Sequence, residues 1–358
     1  MNCHEIDTGI LRAAEFPYLD ATGQAYLDHA GSGLPPLSLV QGHRDRLAGA
    51  AFGNPHSLSP ASAESTRLME EARAAVLRFF RADPGEYAVV FTANATAALR
   101  LVGEAFPFGD TSVLLLTGDN HNSVLGIRRY AVRTGARVRV IPPQGEELRT
   151  GPGAVTRALN AGGDTRAPSL FAWPAQSNAT GTRHPLEWVE QARRHGWRVL
   201  LDAASFVPTS RLDLSMVRPD YVAVSWYKVC GYPPGVGCLV ARHEALEILR
   251  RPWFAGGTVL ASSSHTDWQL YAPGPERFED GTLPFLCVPD VTAALDWHRQ
   301  VGYPRIEAHT AGLTSRLLDG LQSLRHSGGE PAVRVHGAAG TVLRGPTVAF
   351  NLLDRGAD

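Results

Sequence analysis

Cysteine and methionine are scarce in this chain, four and three among 358 residues. The cysteines Cys3, Cys230, Cys238 and Cys287 form no Cys-x-x-Cys pair. So few thiols in so long a chain exclude a disulfide framework, and their spacing gives no reason to place a metal. An excess of one charge is also missing. The formal net charge is −1, so no field steers the chain toward nucleic acid or an anionic membrane. No apolar run approaches the ~18 residues of a membrane span. The start, Met1-Asn2-Cys3-His4-Glu5, lacks the basic-then-apolar order of a signal peptide. The cytoplasm is the expected compartment. Heptads, internal repeats and low-complexity tracts are absent.

What the chain has is enough length for a large domain and a smaller one. Short apolar runs recur at Ala88–Thr92, Val113–Thr117, Val138–Ile141, Leu170–Trp173, Val199–Asp202, Tyr221–Ser225 and Gly237–Ala241. Most are continuous rather than alternating, the pattern of parallel strands covered on both faces. Helical stretches lie between them. Ser65–Phe80 puts Leu68, Ala72, Val76 and Phe79 on one stripe, and Leu186–His195 follows a proline. The alternation predicts an α/β sandwich. Trp253–Pro289 is rich in Gly, Pro and Ser and reads as a loop crossing between domains. Asp290–Val301 and Arg305–Arg325 are candidate helices beyond it.

Lys228 follows the run Tyr221–Ser225, and Asp202 ends the run before it. An amine at the end of a buried strand is costly to keep charged, which makes it a usable nucleophile. A Lys and an Asp ending successive strands suit pyridoxal 5′-phosphate (PLP): the Lys forms a Schiff base and the Asp pairs with the protonated pyridine nitrogen. Alone, the same pair reads as a snorkelling Lys and a helix-capping Asp. The phosphate needs backbone N–H groups and a hydroxyl at a helix start, which Phe91–Leu99 supplies with a helix beginning near Thr96. An ordinary Thr/Asn cap explains that stretch equally well. His121 offers a flat ring partner, or is a solvated loop residue. Asn178 and Ser205 offer donors to the ring's 3′-oxygen, or are polar turns. Ser225 offers a hydroxyl to the phosphate, or ends a strand. Thr96, His121, Asn178, Asp202 and Lys228 each lie at or just after the carboxyl end of an expected strand, where open α/β sheets place ligands.

In that order these residues resemble the class V, cysteine desulfurase-like branch of the fold-type I PLP enzymes, and within it the molybdenum cofactor sulfurase group. The resemblance rests on Tyr26–Gly31, Asn54-Pro55-His56-Ser57, Phe91–Leu99, His121–Arg128, Pro174–Gly181, Leu201–Ser205, Ser225–Gly237, Phe254–Thr258, Arg277–Thr282 and Gly345–Asp354, which run in order over nearly the whole chain. The Lys228 segment and Arg277-Phe278-Glu279-Asp280-Gly281-Thr282 are the most specific.

The resemblance implies a mixed, mostly parallel sheet between helices, with a smaller, truncated α+β domain. Residues 1–60 would form an N-terminal arm and part of the small domain, 61–289 the large PLP-binding domain, and 290–358 an incomplete small domain. Lys228 would carry the Schiff base, Asp202 would bind the pyridine nitrogen, and His121 would stack on the ring and shuttle protons. Asn178 and Ser205 would address the 3′-oxygen, and Ala95, Thr96 and Ser225 the phosphate. Thr282 would reach the phosphate of a second subunit, implying a homodimer. Tyr227 stands where many relatives carry His.

Relatives carry a persulfide-forming Cys and a carboxylate-binding Arg in a later Arg-x-Gly-x-x-Cys-like stretch, which is not found here. The molybdenum-binding C-terminal domain of eukaryotic members is not found either. Cys230, Cys238 and Cys287 read as small core residues rather than replacements. The expected function is removal of sulfur from L-cysteine for an acceptor protein or cofactor. The alternatives are β-elimination, transamination or epimerisation, or a truncated PLP-binding chain without desulfurase activity.

Overall fold

A computed structural model describes residues 8–55, 57–145, 147–162, 167–250 and 256–355. Cys3, His56, and Phe254 and Ala255 of the Phe254–Thr258 stretch lie outside them. Seven strands form the main sheet: β1 (Tyr87–Thr92), β2 (Val113–Thr117), β3 (Arg137–Ile141), β4 (Leu170–Pro174), β5 (Arg198–Asp202), β6 (Tyr221–Ser225) and β7 (Gly237–Arg242). Their order across the sheet is β1-β7-β6-β5-β4-β2-β3. The run β3 to β6 is parallel throughout.

Continuous apolar strands follow from burial on both faces. Val113 and Leu115 enter one core cluster while Leu114 and Leu116 enter the other. Phe171 and Trp173 divide from Leu170 and Ala172 in the same way. Alternate side chains point to opposite faces of a strand, so a sheet covered twice needs apolar residues at every position.

β7 makes the sheet mixed, as the resemblance implies, running antiparallel to both β1 and β6. The link from Ser225 to Gly237 carries a single helical turn, Trp226–Cys230. A parallel return needs a full crossover of a dozen residues or more, so this short link reverses the chain. Because β7 is reversed between them, β1 and β6 point the same way. Thr92 and Ser225 both pair with Gly237 and lie on one edge of the sheet.

The helix expected at Ser65–Phe80 spans Pro60–Phe79. It starts earlier because Ser59 caps it, its hydroxyl accepting from Ser62 N–H at 3.2 Å, and Pro60 occupies the first turn. The helix Asp290–Val301 packs on it. Its Val291 and Leu295 join the core cluster that contains Ala72 and Val76. The helix Tyr303–Ser323 then leads to a two-stranded sheet of β10 (Val333–His336) and β11 (Ala349–Leu352), numbered after the hairpin β8 (Val259–Ser262) and β9 (Gln269–Tyr271). That hairpin and a 3₁₀ turn at Pro275–Phe278 replace part of the loop expected over Trp253–Pro289. No helix of the described residues is long and apolar enough to cross a membrane.

The Arg277–Thr282 stretch is also more than a polar loop. Glu279 is buried, and Arg73 donates to both its oxygens, at 2.8 and 3.1 Å. Phe91 N–H donates to the same carboxylate at 2.9 Å, and Arg73 also donates to Val89 O at 2.7 Å. One ion pair thus joins the Pro60–Phe79 helix, β1 and the turn at Phe278. Breaking a buried pair from one side leaves an uncompensated charge and costs roughly 3–5 kcal/mol. Urea unfolding is expected to show a loss of that size for Glu279→Leu. The double change Arg73→Met with Glu279→Leu is expected to lose less than Glu279→Leu alone. A double mutant at least as unstable as that single one would assign the stability to something other than charge pairing.

Candidate active site

The carboxyl ends of β1, β2, β4, β5 and β6 surround one cavity of about 220 Å³. Ala95, Thr96, His121, Asn178, Asp202, Ser205, Ser225 and Lys228 all line it, so eight of the nine residues singled out by sequence converge there. The ninth, Thr282, does not. It is exposed, and its hydroxyl lies 3.5 Å from the Asn54 amide nitrogen.

Asp202 ends β5 and is buried. Burial pushes its carboxyl up from the usual carboxylate range, opposed by the Ala204 N–H and by the Lys228 and His121 charges. Its Oδ1 accepts from Ala204 N–H at 3.0 Å. Among the described residues, three other acids are buried to the same degree, and each has a cationic or imidazole partner. Glu279 has Arg73, Asp220 has Arg198 at 2.9 Å, and Asp290 has His43 at 2.7 Å and Arg46. Asp202 alone among these four faces a cavity without such a hydrogen bond. A buried carboxylate without a paired charge is expensive. A protonated ring nitrogen in this cavity would supply such a partner, so the residues present fit PLP.

Lys228 sits on the one-turn helix Trp226–Cys230 and is half-buried, less enclosed than a strand-end lysine. Gly231 ends that turn with φ +67°, and a Cβ there would meet Leu34 C at 2.2 Å. Gly33 N–H donates to Tyr227 O at 3.0 Å, so the N-terminal arm is seated against the lysine loop. On the phosphate side, Asn94 caps the helix Ala95–Ala105, its Oδ1 accepting from Ala97 N–H at 3.0 Å. The ordinary cap expected of this stretch is thus present, and the same helix start lines the cavity through Asn94, Ala95 and Thr96. Ala95 N–H donates to Ser225 Oγ at 2.9 Å, which brings two of the expected phosphate ligands together. A Cβ on Gly237 would meet Asn94 C at 2.5 Å, so glycine there lets the helix start cross β7.

His121 caps the short helix Asn122–Leu125 and is exposed at the cavity mouth. Its loop is fixed by residues the sequence reading passed over. The Asn120 amide donates to Thr117 O at 2.9 Å and to Ala172 O at 3.0 Å. Asp119 Oδ2 meets His184 Nε2 at 2.7 Å, both side chains being buried. Gln176 was also missed. It lines the cavity, and its amide donates to Ser205 O at 2.9 Å. The only signal for these was a polar residue close after each strand.

Cys230 and Cys238 are buried as expected, and burial pushes both thiols far up. Cys287 is only half-buried, with its thiol raised by burial and then by Asp290. None of the three lines the cavity.

Residues 25–340 match the family described as Aminotransferase class-V. The chain belongs to that family. It is 38% identical over 369 residues to the molybdenum cofactor sulfurase of Bos taurus, covering 96% of this chain and 41% of that protein. The molybdenum cofactor sulfurase of Arabidopsis thaliana is 36% identical over 381 residues, covering 96% and 46%. The chain thus spans less than half the length of these curated relatives. Among solved structures, the cysteine desulfurase of Thermococcus onnurineus NA1 superposes with a TM-score of 0.83 at 24% identity, over 98% of this chain and 84% of that one. The cysteine desulfurase CsdA of Escherichia coli gives 0.77 at 22%, over 98% and 83%. These solved structures share the fold, which is that of the fold-type I enzymes: a mostly parallel mixed sheet flanked by helices.

Asp202 makes a pH-dependent prediction for the cofactor-free chain. A carboxyl raised in the folded state contributes stability when protonated and loses it as pH rises through the raised value. Asp202→Asn removes the ionisation and keeps the Oδ1 acceptor. The variant is expected to melt at least as high as the parent at pH 8, with the gap closing as pH falls through the carboxylate range. A parent that gains on the variant as pH rises would reverse the sign and disprove burial as the cause.

Proposed function

We propose that this chain is a PLP-dependent enzyme of the cysteine desulfurase type, acting on a small amino acid, L-cysteine first. The observation that carries the reading is the convergence of Lys228 and the unpaired buried Asp202 on one cavity. When bound, PLP supplies an electrophilic carbon for the substrate amine and an electron sink for charge developing at Cα. Lys228 Nζ would hold the cofactor covalently and, as a free amine, would serve as the base for the substrate Cα proton. Asp202 would keep the pyridine nitrogen protonated, and His121 would cover the ring and carry protons. Asn178 and Ser205 bind the 3′-oxygen, and Ala95, Thr96 and Ser225 seat the phosphate. A thiolate of an acceptor would attack the substrate sulfur, an S–S bond forming as the Cβ–S bond breaks, and the carbon fragment would take up a proton to leave as alanine.

The curated relatives support sulfur transfer through their name, and the fold neighbours through theirs. That no described cysteine lines the cavity favours a second reading, β-elimination of the same substrate to pyruvate. Free thiols at Cys230, Cys238 and Cys287 fit the reducing cytoplasm. We also propose that residues 61–289 form the cofactor-binding unit, with 1–60 and 290–358 serving the smaller one.

Borohydride reduction of the PLP-loaded chain is expected to fix one cofactor mass on the peptide containing Lys228, and Lys228→Ala to abolish it. Product analysis with L-cysteine and added thiol separates the chemistries. Alanine with sulfide supports desulfuration, and pyruvate supports elimination. A loaded chain that yields no reducible adduct would remove both.

We propose further that the chain is a homodimer in which Thr282 meets the partner's cofactor. Its exposure, away from its own cavity, supports that placement. Sedimentation of the PLP-loaded chain is expected to give a dimer, and Thr282→Ala to weaken PLP binding. A fully active monomer would sink this assignment.

A further inference from the structure

Ser123 has no role in the reading above, yet it touches two of the residues that do. Its backbone N–H donates to His121 Nδ1 at 3.1 Å. Its hydroxyl oxygen lies 2.9 Å from the same Nδ1 and 2.7 Å from Thr96 Oγ1. Ser123 itself lines the cavity. Ser123 therefore sits between the ring-covering His121 and the phosphate-seating Thr96.

The hydrogen count in this group is restrictive. A neutral imidazole has one N–H and one acceptor nitrogen. Since a backbone N–H points at Nδ1, that nitrogen is the acceptor, and the ring hydrogen is on Nε2. Ser123 has one hydroxyl hydrogen for two neighbouring acceptors, His121 Nδ1 and Thr96 Oγ1. With the phosphate seat empty, Thr96 can donate to Ser123 Oγ, and Ser123 then donates to Nδ1. With a phosphate dianion in the seat, the Thr96 hydroxyl hydrogen turns to the anion. Thr96 Oγ1 then accepts from Ser123, and Nδ1 keeps only the backbone donor. No proton leaves its oxygen in either state; two hydroxyls rotate.

We propose that Ser123 is a positioning residue that fixes His121 as the Nε2–H form and couples its Nδ1 to occupancy of the phosphate seat. This deepens the proposed function and rests on it for the roles of Thr96 and His121. It adds a means by which a seated phosphate resets the ring that covers the cofactor.

The test is histidine ¹⁵N NMR of the full chain at alkaline pH, where a free imidazole is neutral. The probes are inorganic phosphate, then PLP. His121 is expected to show a protonated Nε2 and an unprotonated Nδ1, with the Nδ1 resonance moving as phosphate is added. Ser123→Ala keeps the backbone donor and loses the hydroxyl. In that variant the Nε2–H form persists, the Nδ1 response to phosphate disappears, and PLP binding weakens about three- to tenfold, as for one net hydrogen bond. Ser123→Thr restores the response. A proton on Nδ1 in the parent chain, or an unchanged phosphate response in Ser123→Ala, overturns the proposal. If these responses hold while no Lys228 adduct forms, the coupling stands and the proposed function falls.

Discussion

Parallel strands deliver their carboxyl ends to one edge of a sheet, and the chemistry available to this chain depends on that constraint. β2, β4, β5 and β6 end in Thr117, Pro174, Asp202 and Ser225. The polar residues that follow each of them are therefore gathered without any sequence proximity. The reversal at β7 extends the arrangement to β1, whose last residue, Thr92, opens onto the Asn94-capped helix. A sheet buried on both faces leaves that edge as the place where polar side chains can face solvent and ligand together.

Buried charge is handled in two ways. Glu279, Asp220 and Asp290 are each joined by a cation or a histidine, and Glu279 ties three segments of the fold through Arg73. Asp202 is equally buried but has only a backbone N–H at Oδ1 among these hydrogen bonds. The paired acids hold the scaffold. The unpaired one is a local cost, and under the proposed function a cationic ring nitrogen would relieve it, leaving scaffold and cofactor recognition to different carboxylates. The His121 loop shows a similar division. Asn120 and the Asp119–His184 pair hold its backbone, while Ser123 holds its imidazole.

Much of this was legible before any coordinates. The seven apolar runs became seven strands with ends moved by a residue at most, because strands buried on both faces leave a continuous hydrophobic record. Helix starts were less legible. The Pro60–Phe79 helix begins five residues before the start expected at Ser65, where Ser59 and Pro60 set the boundary by capping rather than by hydrophobicity. The segment after residue 253 reads as a loop because it is rich in Gly, Pro and Ser, and strands as short as Val259–Ser262 and Gln269–Tyr271 do not stand out within it. Nothing local in Arg277–Thr282 marks Glu279 as a core residue; Arg73, 206 positions away, and the Phe91 N–H hold it there.

The sequence by itself determined the sheet, the positions of the loops at strand ends, and the residue types available there. Those depend on local pattern: apolar runs, capping residues, glycines and a lysine after a strand. The tertiary structure alone decided which buried acids are paired, that β7 runs backward, and that Ser123 bridges His121 to Thr96. Each of these is a relation between distant segments. Hydrogen-bond geometry and desolvation act through space, and a one-dimensional pattern holds no record of which side chains meet.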